Sequence, residues 1–230
     1  MDHAFRNGLI LDGTRDMKIQ KGLCILVHDG IIADIVPDTA DLDLSGYDVI
    51  DLHGRYILPG LINMHVHLAG NGKPQKKQRD NEKLVKNIMS TSLTRAIAYK
   101  MVAGFAKDEL LGGVTTIRTV GGLADFDTRL RDEIESGAKT GPRILAANQG
   151  ISVPGGHMAG SVAVAAASIP DALRQLEKSK EEKVDLIKLM ITGGVLDAKE
   201  KGVPGELKMP PEMIREVCSQ AHADGYLVAA

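Results

Sequence analysis

The sequence predicts an α/β fold in which a short β segment precedes a parallel sheet with helical crossovers. Beyond residue 57, apolar strand candidates alternate with long amphipathic stretches. The strand candidates are apolar almost throughout, as expected when both faces of a sheet are covered. Proline and acidic residues stand where helices would begin, and glycine stands where they would end. This alternation is compatible with either a doubly wound sheet or a barrel.

Residues 1–57 form the predicted β segment, and residues 58–230 form the predicted second domain. In the first segment, strands separated by turns are expected at 5–11, 23–27, 31–36, 48–52 and 55–57. Between the second and third of these strands, Asp29 and Gly30 supply two residues that tolerate a positive φ. The pair therefore predicts a tight hairpin turn.

In the second domain, the chain alternates between buried strands and amphipathic helices. Strands are predicted at 57–64, 114–120, 143–149, 184–191 and, incompletely, 226–230. Helices are predicted at 81–111, 125–136, 171–183 and 211–224. The basic stretch 70–79, which contains glycine and proline, is interpreted as a solvated loop in preference to a mobile lid over a site.

Composition favours small-molecule chemistry over the other broad classes of function. Lysine and arginine total 28 against 30 aspartate and glutamate, and the net charge of −2 predicts no binding of nucleic acid or of an anionic membrane. With 3% aromatic residues and no tryptophan, stacking platforms for single-stranded nucleic acid are not expected. No apolar run approaches the roughly 20 residues of a membrane span, and the N-terminus lacks a signal-peptide pattern. Two distant cysteines, Cys24 and Cys218, favour a cytoplasmic location.

The strongest chemical feature is the pair His65 and His67, which follows the predicted strand 57–64. Residues two apart in a strand point to the same face, so both imidazoles can converge on one ion. Neutral imidazole nitrogen is a common zinc ligand. The position also matters, because α/β folds place their sites at the carboxyl ends of strands. His65 and His67 are therefore the predicted ligands of a divalent metal.

The run LPGLINMHVH at residues 58–67 resembles the amidohydrolase superfamily of metal-dependent hydrolases, and GGVTTIR at residues 112–118 is similar to the second barrel strand of that family. The resemblance implies a (β/α)8 TIM-type barrel, of which about the first five strands are present, with a small N-terminal β-sandwich segment. It also implies that His65 and His67 bind the catalytic metal. Thr119 stands where relatives often carry aspartate, and we assign it no role.

Lys188 lies within the apolar strand 184–191, where a charged amine is costly to bury. One interpretation is that its head group reaches solvent or a carboxylate at the strand end. The other is that it is a ligand in the metal site. The resemblance implies the second reading, with a carboxylated Lys188 that bridges two divalent ions, expected to be zinc. The segment 187–195 resembles the Xaa-Pro dipeptidase group, whereas the related imidazolonepropionases are mononuclear and do not use this lysine.

His157 follows the third predicted strand of the second domain, in the segment VPGGHM. Relatives carry a similar segment near the substrate, so the resemblance implies a substrate-binding or carbonyl-polarising role for His157. The alternative is an ordinary loop histidine. The other histidines, His3, His28, His53 and His222, are interpreted as structural.

The activity implied by the resemblance is hydrolysis of a C–N bond in a dipeptide or another small molecule by a metal-activated hydroxide, with Lys188 as the catalytic bridging residue. A dipeptidase of Xaa-Pro type is preferred. A cyclic-amide hydrolase or deaminase of the same superfamily, and a non-catalytic fragment, are the alternatives. An eight-stranded barrel needs about 250 residues, more than remain after position 57. We therefore expect that this sequence is the N-terminal part of a longer enzyme, or that it needs a second chain to complete it. In either case it should be inactive alone. Self-association into a homo-oligomer is left open.

Overall fold

A computed structural model describes residues 2–70, 80–194, 200, 203 and 205–230. The loop predicted at 70–79 lies outside the described residues, except for Gly70. The chain divides into two compact units, the first reaching Gly60 and the second beginning at Leu61. Both units contain β-strands, and the described helices all belong to the second unit, so the chain is an α/β protein.

The first unit contains a four-stranded sheet and a separate parallel pair. Its strands are β1 (His3–Arg6), β2 (Leu9–Ile10), β3 (Leu23–His28), β4 (Ile31–Pro37), β5 (Asp48–Asp51) and β6 (Tyr56–Ile57). The sheet has the order β4-β3-β1-β5, and β2 pairs with β6. The prediction of one strand over 5–11 is wrong, because Asn7 adopts a left-handed φ of 54° that separates β1 from β2.

The predicted hairpin turn is confirmed. β3 and β4 pair antiparallel, and His28 lies opposite Ile31, so only two residues form the turn. Asp29 has a φ of 48° and Gly30 a φ of 79°, which are the two left-handed conformations that a type I′ turn requires. The turn therefore sets the register in which β3 and β4 begin to pair.

The second unit alternates strands with helices. Its strands are β7 (Leu61–Val66), β8 (Val114–Thr119), β9 (Arg143–Leu145), β10 (Gly150–Ser152), β11 (Ala163–Ala165), β12 (Leu186–Lys188) and β13 (Leu227–Ala229). Its helices are α1 (Asn81–Ile88), α2 (Ser92–Leu111), α3 (Phe126–Glu135), α4 (Ile169–Glu181) and α5 (Pro211–Ala223). None of the described helices combines the length and the hydropathy that crossing a membrane requires.

Every pair of these strands is parallel. β7, β8 and β9 form one sheet in chain order, β12 pairs with β13, and β10 pairs with β11. Asp185, which precedes β12, donates its backbone N–H to the carbonyl of Ala146, which follows β9, at 2.7 Å. The spatial order of the strands is therefore the same as their order in the chain, namely β7, β8, β9, β12 and β13, and helices separate them along the chain. Their carboxyl ends meet at one edge.

The single helix predicted over 81–111 is wrong, because α1 ends at Ile88 and α2 begins at Ser92. Thr91, between them, is extended, with φ −131° and ψ 154°. Its hydroxyl oxygen accepts a hydrogen bond from the backbone N–H of Thr94 at 3.2 Å. A threonine that caps a new helix in this way satisfies a backbone donor that has no partner within the helix. Apolar residues recur on both sides of the break, so periodicity alone does not reveal it.

Two strands are shorter than predicted. β9 ends at Leu145 rather than at residue 149, and Asn148 adopts a left-handed φ of 52°. β12 covers only the middle of the predicted strand 184–191, and Leu189 continues it by a single parallel bridge to Ile151. The short parallel pair of β10 and β11 occupies the interval after β9, and the sequence did not predict it.

Two apolar clusters hold the strands of the second unit against its helices. The first joins β7, β8 and β9 to α2 and α3, and includes the buried side chains Val66, Tyr99, Val102, Ile117, Phe126, Leu130 and Ile144. The second joins β10 and β12 to α4 and α5, and includes Ile151, Leu176, Ile187, Met213 and Val217. Burial of each large apolar side chain contributes roughly 1.5–3 kcal/mol, so these clusters fix the positions of the strand ends.

Asp127, in the first turn of α3, is buried, and neither of its carboxyl oxygens makes a hydrogen bond of normal geometry within the described residues. Burial raises the pKa of Asp127 from 3.8 to about 6, and the nearby Thr119 hydroxyl offsets part of the increase. Because the folded-state pKa is the higher one, the folded chain holds this proton more tightly than the unfolded chain. Ionisation of Asp127 therefore lowers the free energy of unfolding as the pH rises from 3.8 through about 6.

We predict that Asp127→Asn raises the free energy of unfolding at pH 7 by up to about 3 kcal/mol, because the amide keeps the shape and removes the buried charge. The gain should shrink as the pH falls from about 6 towards 3.8. Urea unfolding at several pH values measures both effects. The control is Asp125→Asn, since Asp125 caps α3 without a side-chain hydrogen bond. A gain that is equal in both variants, or independent of pH, would contradict the prediction.

Candidate metal centre

His65 and His67 lie at the carboxyl end of β7 with their rings close together. Their Nε2 atoms are 3.3 Å apart, and the ring planes meet at 67°. Two imidazole nitrogens that each lie about 2.0–2.1 Å from one tetrahedral zinc ion are about 3.3–3.4 Å apart. The two Nε2 atoms therefore have the separation that a shared ion requires.

An irregularity in β7 surrounds His65. The pairing of β7 with β8 shifts register between Asn63 and Val66. Within the shift, the backbone N–H of His65 donates to the side-chain oxygen of Asn63 at 3.2 Å, and the carbonyl of Met64 accepts a hydrogen bond from Nε of Arg118 at 2.8 Å. Side chains thus satisfy backbone groups beside the irregularity. Such bulges redirect side chains next to functional sites.

The surroundings of His65 favour its neutral form. Although His65 is solvent-accessible, partial burial lowers its pKa most, and electrostatic interactions with His67, Lys188, Arg118 and His157, when those groups are protonated, lower it further. A metal ion binds only the neutral ring, so the lowered pKa allows His65 to bind a metal ion at lower pH. The same interactions mean that the structure brings all four predicted site residues into one neighbourhood.

Lys188 is only 7% exposed and occupies the last position of β12. Burial lowers the pKa of Lys188, and the positive charge of Arg118 lowers it further. Within the described part of the chain, no carboxylate pairs with its amine. Among the described residues, this environment gives no support to the interpretation in which the head group reaches a carboxylate. It favours a neutral amine.

His157 lies in the loop between β10 and β11. Its backbone N–H donates to the carbonyl of Thr192 at 3.0 Å, and its ring lies so close to Gly194 that no Cβ fits there. With His65 and His67, it lines a cavity of about 910 Å³. The other walls of the cavity are partly apolar and include Leu68, Leu84, Val85, Phe105 and Met158.

Lys188 does not line this cavity. Its Cγ lies next to Gly150, 3.2 Å from the position that a Cβ on Gly150 would occupy. The structure therefore places the lysine close enough to lower the pKa of His65, while its side chain passes beside β10.

Arg118 is a site residue that sequence reasoning did not select. It belongs to β8, and its guanidinium contributes to the lowered pKa of both His65 and Lys188. A signal was present in the sequence, because an arginine near the end of an apolar strand is as costly to bury as the lysine that was selected. The same argument applied to the run 112–118 would have identified it.

Another group of metal-compatible side chains, Asp2, His28 and Asp29, lies in the first unit. The ring of His28 is 2.7 Å from a carboxyl oxygen of Asp2, and this hydrogen bond raises the pKa of His28. A raised pKa favours the protonated ring, which binds no metal. The group is therefore better described as an ion pair beside the hairpin turn.

Comparison with known sequences connects this site to a family. The sequence profile of the amidohydrolase family matches residues 56–230. Imidazolonepropionase from Salmonella paratyphi A is 32% identical, over 54% of this chain and 36% of the relative. The same enzyme from Salmonella enteritidis PT4 has the same identity and coverage. The chain thus spans 36% of the length of these curated relatives.

Solved structures are similar along nearly the whole chain. A Xaa-Pro dipeptidase with methionine bound in its active site is 27% identical, with a TM-score of 0.73, and the similarity covers 99% of this chain and 56% of that one. A prolidase in complex with N-methylphosphonate-L-proline is 20% identical, with a TM-score of 0.78 and coverage of 99% and 55%. At 20% identity, the similarity to this prolidase shows a shared fold and nothing more. The chain spans about half the length of both proteins.

We predict that His65→Asn and His67→Asn each weaken Zn²⁺ binding by about 100-fold or more, because each removes one of the two converging nitrogens. Competition with a chromogenic chelator at pH 7 measures the affinity. The matched control is His222→Asn, because His222 is an exposed histidine of α5, and this variant should bind as tightly as the wild type. Unchanged affinity in both site variants would show that the chain binds zinc elsewhere.

Proposed function

Because the chain belongs to the amidohydrolase family, we propose that it carries the metal-binding part of a hydrolase that cleaves C–N bonds, with an Xaa-Pro dipeptide as the preferred substrate. The observation that carries the proposal is the 3.3 Å separation of the two Nε2 atoms of His65 and His67. The family match supports the reaction class, and the likeness to a Xaa-Pro dipeptidase supports the substrate class.

In this proposal, His65 and His67 would hold a divalent ion, and carboxylated Lys188 would supply oxygen ligands to that ion and to a second one. Zinc is the proposed metal, because imidazole nitrogen and an anionic oxygen are ligands that it accepts. When bound, such ions lower the pKa of water and polarise the scissile carbonyl. The surroundings of His65 favour neutral imidazole for this purpose, since burial and neighbouring charge lower the pKa of His65.

The bridging role of Lys188 requires carboxylation of its amine. The lone pair of the neutral nitrogen attacks the carbon of carbon dioxide, an N–C bond forms, and the electron pair of one C=O π bond moves to oxygen. One proton passes from the nitrogen to water. The product is a carbamate with one negative charge, which offers oxygen ligands to metal ions. Burial of Lys188 beside Arg118 supports this step, because both lower the pKa of the amine.

His157 is the proposed substrate contact. It shares the cavity with His65 and His67, and the hydrogen bond from its backbone to Thr192 fixes the loop that carries it. A ring held at the rim of a partly apolar cavity is suited to donate a hydrogen bond to a substrate carbonyl. Apolar walls suit the ring of a proline residue in the same cavity.

We propose that the parallel strands of the second unit are the first part of a (β/α)8 barrel, and that residues of the first unit contribute to a β-sandwich. The exposed apolar side chains Leu61, Ile62 and Met64 of β7 support this view, because exposed apolar patches mark surfaces that are normally covered. Further polypeptide, either C-terminal in the same protein or in a second chain, would cover them. The proposed activity belongs to that completed molecule.

Hydrolysis of a cyclic amide is the second candidate, favoured by the 32% identity to imidazolonepropionase. The two candidates differ in their need for a lysine ligand, because the imidazolonepropionase group is expected to use a single metal ion. A buried lysine without a carboxylate partner among the described residues favours the dipeptidase.

We predict that the chain incubated with ¹³C-bicarbonate and Zn²⁺ shows a carbamate signal in its ¹³C NMR spectrum, because Lys188 is buried and its surroundings favour the neutral amine. Lys188→Ala should abolish the signal. Lys107→Ala, which removes an exposed lysine of α2, should retain it. A wild-type spectrum without a carbamate, or a signal that survives Lys188→Ala, would refute the bridging role.

We predict that the molecule with its barrel complete hydrolyses Xaa-Pro dipeptides faster than cyclic amides. Lys188→Ala should lower kcat/KM by about 100-fold or more, because losing a bridging ligand removes several kcal/mol of charge stabilisation. Lys107→Ala serves again as the control. A preference for cyclic amides, together with full activity in Lys188→Ala, would favour the second candidate.

A further inference from the structure

One peptide group, which joins Gly121 to Gly122 in the loop after β8, is held at both ends. Its N–H donates to the backbone carbonyl of Asn148 at 2.7 Å. Its carbonyl oxygen lies 3.0 Å from Nδ1 of His67. A peptide group is planar and rigid, so its two ends cannot turn independently. Asn148 and His67 are therefore connected through a single planar unit.

Neighbouring side chains pack closely against this peptide group. A Cβ on Gly121 would lie 2.7 Å from Cε of Met190 and 3.2 Å from Nδ1 of His67, and the backbone there has a φ of 131°. A Cβ on Gly122 would overlap the carboxyl group of Asp127. Only glycine fits at either position without displacing a neighbour. The close packing leaves the peptide group little freedom to rotate.

Asn148 is fully buried, with a left-handed φ of 52° that asparagine tolerates better than most residues. Its side-chain oxygen accepts a hydrogen bond from the backbone N–H of Thr128 at 3.0 Å. Its amide nitrogen donates to the hydroxyl of Thr128 at 3.0 Å and to the carboxylate of Glu182 at 2.8 Å. Because Thr128 belongs to α3 and Glu182 is the C-cap residue of α4, two helices fix the direction of the Asn148 carbonyl.

We propose that Asn148 is a positioning residue for His67 and acts through the peptide group between Gly121 and Gly122. The proposal rests on the proposed metal site and adds the group that sets the tautomer of His67. A carbonyl oxygen only accepts hydrogen bonds, so Nδ1 of His67 carries the hydrogen and Nε2 keeps the lone pair that a metal needs. The hydrogen bond to Asn148 polarises the peptide group and strengthens its contact with His67.

The tautomer of His67 can be measured without metal. Long-range ¹H–¹⁵N correlation spectra of the ¹⁵N-labelled, metal-free chain distinguish the two neutral forms, and the spectrum of His67→Gln assigns the signal. The expected form is Nδ1–H. An Nε2–H form in the wild type would overturn the proposal, whether or not the chain binds zinc. This separates its failure from the failure of the proposed function.

Asn148→Gly tests the role of the side chain, because glycine keeps the left-handed backbone and removes the hydrogen bonds to Thr128 and Glu182. We expect a mixture of His67 tautomers and about 10- to 100-fold weaker Zn²⁺ binding. Gln175→Ala, which truncates another buried amide on α4, is the matched control and should change neither quantity. A folded Asn148→Gly chain with the wild-type tautomer and affinity would overturn the proposal.

Circular dichroism establishes whether Asn148→Gly folds. If it does not, Gly121→Ala replaces it, because the added Cβ would lie 2.7 Å from Cε of Met190 and 3.2 Å from Nδ1 of His67 and would crowd the ring. Its matched control is Gly141→Ala, in which the added Cβ meets only the flexible end of Ile134. The expected tautomer change and loss of affinity are the same. A wild-type tautomer in Gly121→Ala would count against the proposal as directly as one in Asn148→Gly.

Discussion

The candidate site depends on the parallel pairing of strands that follow one another in the chain. This pairing brings the carboxyl ends of β7, β8 and β12 to one edge, with His65 at the first, Arg118 at the second and Lys188 at the third. At the carboxyl ends of β7 and β8, the register of the pair places Val66 opposite Thr119. Because side chains alternate between faces, a slip of one residue would turn the ligands away from one another. The chemistry of the site therefore follows from the register of a few backbone hydrogen bonds.

The electrostatics of the site favour the neutral forms of two basic side chains, His65 and Lys188. The positive charge of the Arg118 guanidinium lowers the pKa of both His65 and Lys188. Burial acts in the same direction and is the larger cause for both groups. A neutral imidazole is a metal ligand, and a neutral amine is a nucleophile towards carbon dioxide. In the proposed function, the negative charge of the resulting carbamate would offset part of the positive charge of Arg118 and of the metal ions.

Features that depend on local backbone chemistry or on a short motif could be predicted from the sequence. The turn at Asp29 and Gly30 needs only two residues with positive φ, and the strand period predicts that His65 and His67 share a face. The irregularity between Asn63 and Val66 does not follow from that period. Features that depend on distant partners could not. Asn148 leaves the strand conformation and joins α3 to α4 through hydrogen bonds to residues far along the chain. The burial of Lys188 without a carboxylate partner in the described residues is likewise a property of packing.

The central claim is that His65 and His67 share one metal ion through their Nε2 atoms. Anomalous diffraction at the zinc absorption edge, from crystals of the chain grown with Zn²⁺, tests it most directly. The account predicts an anomalous peak about 2.0–2.1 Å from both Nε2 atoms. Nδ1 of His67 should still donate its hydrogen bond to the carbonyl of Gly121. A peak bound through Nδ1 of His67, or zinc found only at other histidines, would contradict it.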